Sequence, residues 1–230
     1  MGNRGSKGLV LAVAFGISAF AACGGEENDD DVVTVESALL TATPADPVAF
    51  CRGLASSGFN VIIGSPNNDM INGTAGRDCI VGLGSQDRIN GLGGDDIIFG
   101  GDGDDVITGG DGNDQIFGGS GQDNIMGGNG NDRLFGEDGD DMLAGEAGND
   151  MLSGGQGQDR LFGGDGNDML IGGDGDDRLD GGEGSDSLSD CVNHNTFMGG
   201  TGTNTCQGSR NGNASSSFTN CQMITACPGA

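Results

Sequence analysis

Between residues 64 and 189, a branched aliphatic residue returns at every ninth position, separated by polar residues and glycine. It is isoleucine from Ile71 to Ile125 and leucine from Leu134 to Leu188. Nine is not a helical period, and interior glycine, costing roughly 1 kcal/mol each, opposes a helix further. Nor does glycine fall at every third residue, as a collagen triple helix demands. A strand of three residues followed by a turn of six fits the spacing. In the triplet Met169, Leu170 and Ile171, side chains then point out, in and out by the alternation of a strand. Two such units close one coil of eighteen residues. Stacked coils give two parallel sheets with the recurring aliphatics enclosed between them.

Divided from Gly64, the segment is fourteen consecutive nonapeptides without insertion, and the aliphatic takes position eight. Position one is glycine throughout, from Gly64 and Gly73 to Gly172 and Gly181. Position six is always aspartate: Asp69, Asp78, Asp87, Asp96, Asp105, Asp114, Asp123, Asp132, Asp141, Asp150, Asp159, Asp168, Asp177 and Asp186. Glycines at positions one, two and four supply the backbone angles of a tight turn. A degenerate forerunner, ASSGFNVII from Ala55 to Ile63, keeps the fourth-position glycine but puts Asn60 where the carboxylate belongs.

The spacing G-G-x-G-x-D-x-U-x, present as GGDGNDQIF and GGNGNDRLF, resembles the RTX (haemolysin-type) calcium-binding repeat. That resemblance implies an all-β fold, a right-handed parallel β-roll or solenoid. It also implies calcium between successive turns, held by the position-six carboxylates and by backbone carbonyls. The chemistry of the residues agrees. Calcium takes six to eight oxygen ligands and tolerates carbonyl as well as carboxylate, and glycine presents carbonyls without a side chain in the way. Repeat one stacks on repeat three, which sorts the aspartates into two columns, one beginning Asp69, Asp87, Asp105 and the other Asp78, Asp96, Asp114. Each column of seven turns leaves six gaps, so about twelve ions is the ceiling. Asn67 and Ser85 replace fourth-position glycines and compromise the first gap of the first column.

Charge bears on the same point. The chain carries nine Lys and Arg against thirty-five Asp and Glu. With Arg4 and Lys7 removed in a leader, seven basic residues face thirty-five acidic ones, a balance of −28. Such a load opposes compaction by self-repulsion, and about twelve divalent cations would cancel most of it. Without calcium the acidic, glycine-rich composition predicts an unfolded tract. No EF-hand loop is present, DGDDVITGG notwithstanding. The sign of the charge excludes nucleic acid as a partner.

Residues 1–22 read as a signal peptide: Arg4 and Lys7 precede an apolar run, Leu9 to Phe20, too short to span a membrane comfortably. The run ends in FAAC, which resembles a bacterial lipoprotein signal with Cys23 as the lipidated residue. A plain secretory signal is the alternative, and a myristoylation pattern at Gly2 and Ser6 explains fewer residues. Contact with a membrane is then by the lipid anchor alone, and the mature chain sits outside the cytoplasm, on the cell surface or anchored in an outer membrane. Residues 23–54 read as an acidic tether and N-terminal segment, 55–189 as the roll, and 190–230 as a cysteine-containing C-terminal cap.

Besides Cys23 there are six cysteines: Cys51, Cys79, Cys191, Cys206, Cys221 and Cys227. An even number fits three disulfides in an oxidising compartment. Cys79 stands at an outward strand position with Cys51 nearest upstream, so these two are expected to pair, leaving four for the cap. The only histidine, His194, reads as a solvated loop residue.

The sequence offers little to a catalyst. Neither H-E-x-x-H nor G-x-S-x-G occurs, and a single histidine leaves conventional acid–base chemistry little to use. The chain therefore reads as a non-catalytic, surface-tethered structural module that folds on calcium. The other reading is a calcium-dependent adhesin or assembly partner that binds through an outer face. Even-numbered repeats would align Val81, Phe99, Phe117, Phe135, Ser153 and Ile171, with the three phenylalanines forming a ladder. That face is expected to be covered by the chain's own terminal segments or by a second protomer. The opposite sheet shows Arg88, Asn90, Thr108, Asn124, Arg160, Arg178 and Asp180, with fewer apolar residues.

Overall fold

A computed structural model describes residues 44–190, 195–208, 217–221 and 223–226. The leader, Cys23, the acidic segment up to residue 43, Cys191, His194 and Cys227 lie outside the described residues. Strands are numbered in chain order from β1 (Asn60–Ile63) and β2 (Met70–Asn72) to β18 (Ser217–Thr219) and β19 (Met223–Ala226). Odd-numbered strands form one ten-stranded sheet and even-numbered strands a nine-stranded one. Neighbours within a sheet are parallel and offset by eighteen residues through the repeats, as in Ile98↔Ile116 and Ile107↔Ile125. The chain is a parallel β-solenoid, as the period of nine predicts.

The position-eight side chains lie between the sheets. Ile80, Ile98, Ile116, Leu134, Leu152 and Leu170 from one sheet and Ile107, Ile125, Leu143, Leu161 and Leu179 from the other are fully buried. One such residue per repeat contributes about 1.5–3 kcal/mol. Ordering nine residues, many of them glycine, costs more than that. The core sets the register but does not carry the roll by itself.

Strands are longer than the expected triplets. A typical one, β5 (Ile97–Asp102), runs six residues through positions seven to nine and on through one to three of the next repeat. Pairing persists there, as in Gly101↔Gly119. Position-one glycines mark the corner, and their role differs from the expected one. Gly100 has no left-handed φ; a Cβ there would strike Asp105 Oδ2 and the carbonyl of Gly118. Left-handed backbone falls at positions two and four instead, as at Gly101 (φ 119°) and Gly103 (φ 123°).

The N-terminal segment adds α1 (Pro47–Leu54), opened by proline at its first position, where the missing N–H costs nothing. Cys51 on this helix is bonded to Cys79 on β3 (Asp78–Gly84), as expected. Phe50 meets Phe99 edge-on at 6.0 Å, and the helix covers the start of the phenylalanine ladder. Phe99, Phe117 and Phe135 stack in sequence at 5.0 and 4.9 Å. Further along the same face Met169 and Ile171 are exposed. Met126 and Phe162 join the polar residues of the opposite sheet.

Beyond residue 190 the described strands continue as further coils of the same roll. β16 (Thr196–Met198) pairs with β14 (Arg178–Glu183), and β17 (Thr205–Gly208) with β15 (Ser187–Asp190). Phe197 and Cys206 take the core positions beyond Leu179 and Leu188. Cys206 is bonded to Cys221, both among the four cysteines that follow the repeats.

Candidate metal centre

Each position-six aspartate closes a turn immediately before a strand, and its side chain is folded into the corner of the roll. From Asp78 to Asp186 all are at most 3% exposed. Through Asp168, the main-chain N–H of each donates to Oδ1 of the aspartate eighteen residues later: Asp78 to Asp96 at 2.8 Å, Asp96 to Asp114 at 2.9 Å, Asp105 to Asp123 at 2.8 Å. Two columns result, as the period requires. The compromised first gap keeps this bond, Asp69 N–H to Asp87 Oδ1 at 2.7 Å, because Ser85 itself adopts a left-handed φ of 71°.

The second carboxylate oxygen is treated differently along each column. In the first two repeats it accepts a main-chain N–H within its own turn, Ser65 to Asp69 Oδ2 and Thr74 to Asp78 Oδ2, both at 2.6 Å. From Asp87 through Asp186 the buried Oδ2 has no donor among the described residues. A buried carboxylate with an unmet oxygen is costly unless a cation or a proton compensates it. Desolvation accordingly pushes Asp96, Asp123, Asp132 and Asp159 up to about 7, against the lowering effect of the N–H bond. Neighbouring carboxylates of the columns raise these four further.

The donor set fits a hard divalent cation. Nowhere among the described residues do three His, Cys, Asp or Glu side chains converge. Carboxylate supplies one or two oxygens per turn and backbone carbonyls must supply the rest, a mixture calcium accepts. The C-terminal coil shows what a neutral solution looks like. There Asn204 stands in the aspartate row: its Oδ1 accepts the N–H of Asp186 at 2.8 Å, as an aspartate would. Its Nδ2 then donates to the carbonyls of Thr201, at 2.8 Å, and Gly199. An amide hydrogen meets the turn carbonyls where a carboxylate oxygen has nothing to offer them. Asn195 likewise accepts from Asp177 at 2.8 Å. The sequence reading missed both asparagines, although GGTGTNTCQ keeps the glycine spacing and could have revealed Asn204.

A family model described as the RTX calcium-binding nonapeptide repeat (4 copies) matches residues 54–89, 81–116, 90–125, 117–152 and 153–188. The chain belongs to this family. Its RTX repeats bind calcium and form a parallel β-roll, and the matched region coincides with the stacked aspartate turns. No curated protein matches the chain.

Proposed function

We propose that the protein is a structural module whose roll assembles on calcium, with Asp69 through Asp186 at position six as the ligand carboxylates. The observation that carries this reading is the row of buried Oδ2 atoms without donors from Asp87 to Asp186. Bound calcium supplies positive charge and accepts carboxylate and carbonyl oxygens together. The chain's own part is to fix Oδ1 with a main-chain N–H, to bare the turn carbonyls with glycine and to keep the carboxylates out of water. Up to about twelve ions fill the gaps between turns, and binding energy becomes folding energy. Circular dichroism during calcium titration tests this: sheet signal should appear cooperatively with calcium and vanish in excess chelator. A stable sheet spectrum in chelator sinks the proposal.

The leader and the two disulfides support a site of action outside the cytoplasm, and FAAC supports lipidation at Cys23. Mass spectrometry of the mature N-terminus decides between a lipidated Cys23 and a plain cleaved end. A second reading, an adhesin or assembly partner, draws support from Met169 and Ile171, 43% and 39% exposed on the face that continues the phenylalanine ladder. Sedimentation in calcium separates the two: an inert monomer supports the structural module, and a self-associating species supports the assembly partner.

A further inference from the structure

We propose that Asp190 completes a further divalent-cation site at the C-terminal end of one column, in the gap between the turn closed by Asp177 and the coil after it. The inference rests on reading the position-six aspartates as calcium ligands. Residue 190 lies just beyond the fourteenth nonapeptide. Continued by nine, the count puts Asp190 at position one, where all fourteen repeats have glycine. It also puts Asn195 at position six, where all fourteen have aspartate. The two exchanges fall in one turn.

Position one lies in the corner of the roll. In the coils before, the point that a Cβ on the position-one glycine would occupy is hemmed by two oxygens. One is Oδ2 of the aspartate in the same turn, and the other is the carbonyl of the position-one glycine one coil later. At Gly154 these are Asp159 Oδ2 and the Gly172 carbonyl; at Gly163, Asp168 Oδ2 and the Gly181 carbonyl. At Gly172 the first is Asp177 Oδ2, at 2.5 Å, but the second is a side-chain oxygen: Asp190 Oδ2 lies closer still. Two carboxylate oxygens thus face one point. They are near enough to share a cation, since calcium–oxygen bonds of about 2.3–2.6 Å bridge oxygens up to about 5 Å apart.

Asp177 and Asp190 are 2% and 3% exposed, and Asp177 Oδ2 has no donor among the described residues. Like charges held so close out of water repel strongly, and a cation between them reverses the balance. Asn195 Oδ1 keeps the tie between coils, accepting Asp177 N–H at 2.8 Å. Each interior gap is flanked by two position-six carboxylates; here Asp190 brings the second charge that Asn195 does not. The other column has no such replacement. Gly199 keeps position one there, and Asn204 answers the turn carbonyls with its amide. One column therefore ends on a charged turn and the other on a neutral one.

Native mass spectrometry of the mature full-length chain in calcium tests this with Asp190→Asn, Asp174→Asn, and the double variant Asp190→Gly with Asn195→Asp. Asp190→Asn should carry one calcium ion fewer than the parent. Asp174→Asn removes an exposed carboxylate from the same turn and should keep the parent's number. The double variant rebuilds the gap like an interior one and should also carry the parent's number. One ion more than the parent in the double variant would mean that the parent's gap holds none, and overturns the proposal even where Asp190→Asn fails to fold. The parent's number in Asp190→Asn overturns the role of Asp190 alone. A parent that binds no calcium overturns the underlying reading as well.

Discussion

The main-chain N–H of Asp105 donates to Oδ1 of Asp123 at 2.8 Å, across one full coil of the roll. Asp123 therefore treats its two oxygens differently: one ties adjacent turns together and the other, Oδ2, has no donor among the described residues. The carboxylate of Asp69, at the start of its column, accepts only from Ser65 in its own turn among the bonds described. Asp123→Ala should cost about 2–3 kcal/mol in calcium, because it strands a buried N–H and removes a charged acceptor. Asp69→Ala should cost about 1 kcal/mol or less, the loss of one partly exposed bond. Thermal melts of the two variants in saturating calcium check the order, and equal losses would count against a stack held turn by turn.

Acidity should act in opposite directions with and without calcium. Burial holds Asp96, Asp123, Asp132 and Asp159 up to about 7, and Asp105, Asp114, Asp141 and Asp168 up to about 6. Folded values above the unfolded ones mean that protonation favours the roll. That contribution is complete below about pH 4 and is lost as pH rises through about 6 to 7. In chelator, the chain should gain sheet signal as pH falls from about 8 to about 5. Calcium must displace those protons, so the calcium concentration at half-folding should rise over the same interval.

Reducing the Cys51–Cys79 bond, or replacing Cys51 with serine, should release α1 from the roll. The expected loss is about 2–4 kcal/mol, with new binding of a hydrophobic dye as Phe99 loses the cover of Phe50. Unchanged melting and no dye signal would mean that the helix is not a lid.

Phe117 is 3% exposed between two stacked rings, and Phe117→Ser should lower stability in calcium by about 3 kcal/mol. Thr108→Ser, on the opposite sheet, should change little. Indistinguishable melts for the two variants would reduce the ladder to decoration.

Asn204→Asp converts the neutral terminal turn into one like those of the interior. It removes the donor that meets the carbonyls of Gly199 and Thr201 and introduces a buried charge. In chelator at neutral pH it should destabilise whatever C-terminal structure persists, by about 1–3 kcal/mol. Amide hydrogen exchange around Thr201 and Asn204, with and without calcium, would register the change.

Much of this was legible in the chain because one residue in nine reports each feature. Ile71 to Leu188 marked the core, the aspartate series marked the turns, and the outward position of Cys79 pointed to Cys51. Strand length was not legible: glycines such as Gly101 and Gly119 have no side chain to alternate, yet their backbones pair. The extra coils were hidden for a related reason. DCVNHNTFM has no glycine, so Phe197 does not announce itself as the successor of Leu179.

Hydrogen bonding along the aspartate columns has a direction. Every N–H in a column is answered by a carboxylate that lies later in the chain, from Asp69 answered by Asp87 to Asp168 answered by Asp186. A polypeptide leaving a ribosome or a secretion pore amino end first thus carries, on its most recently emerged coil, one unanswered N–H per column. Each new coil closes the previous one and opens its own. Asn195 and Asn204 end this relay: they answer Asp177 and Asp186 without adding another buried charge. The last turns to emerge are the ones that complete the roll.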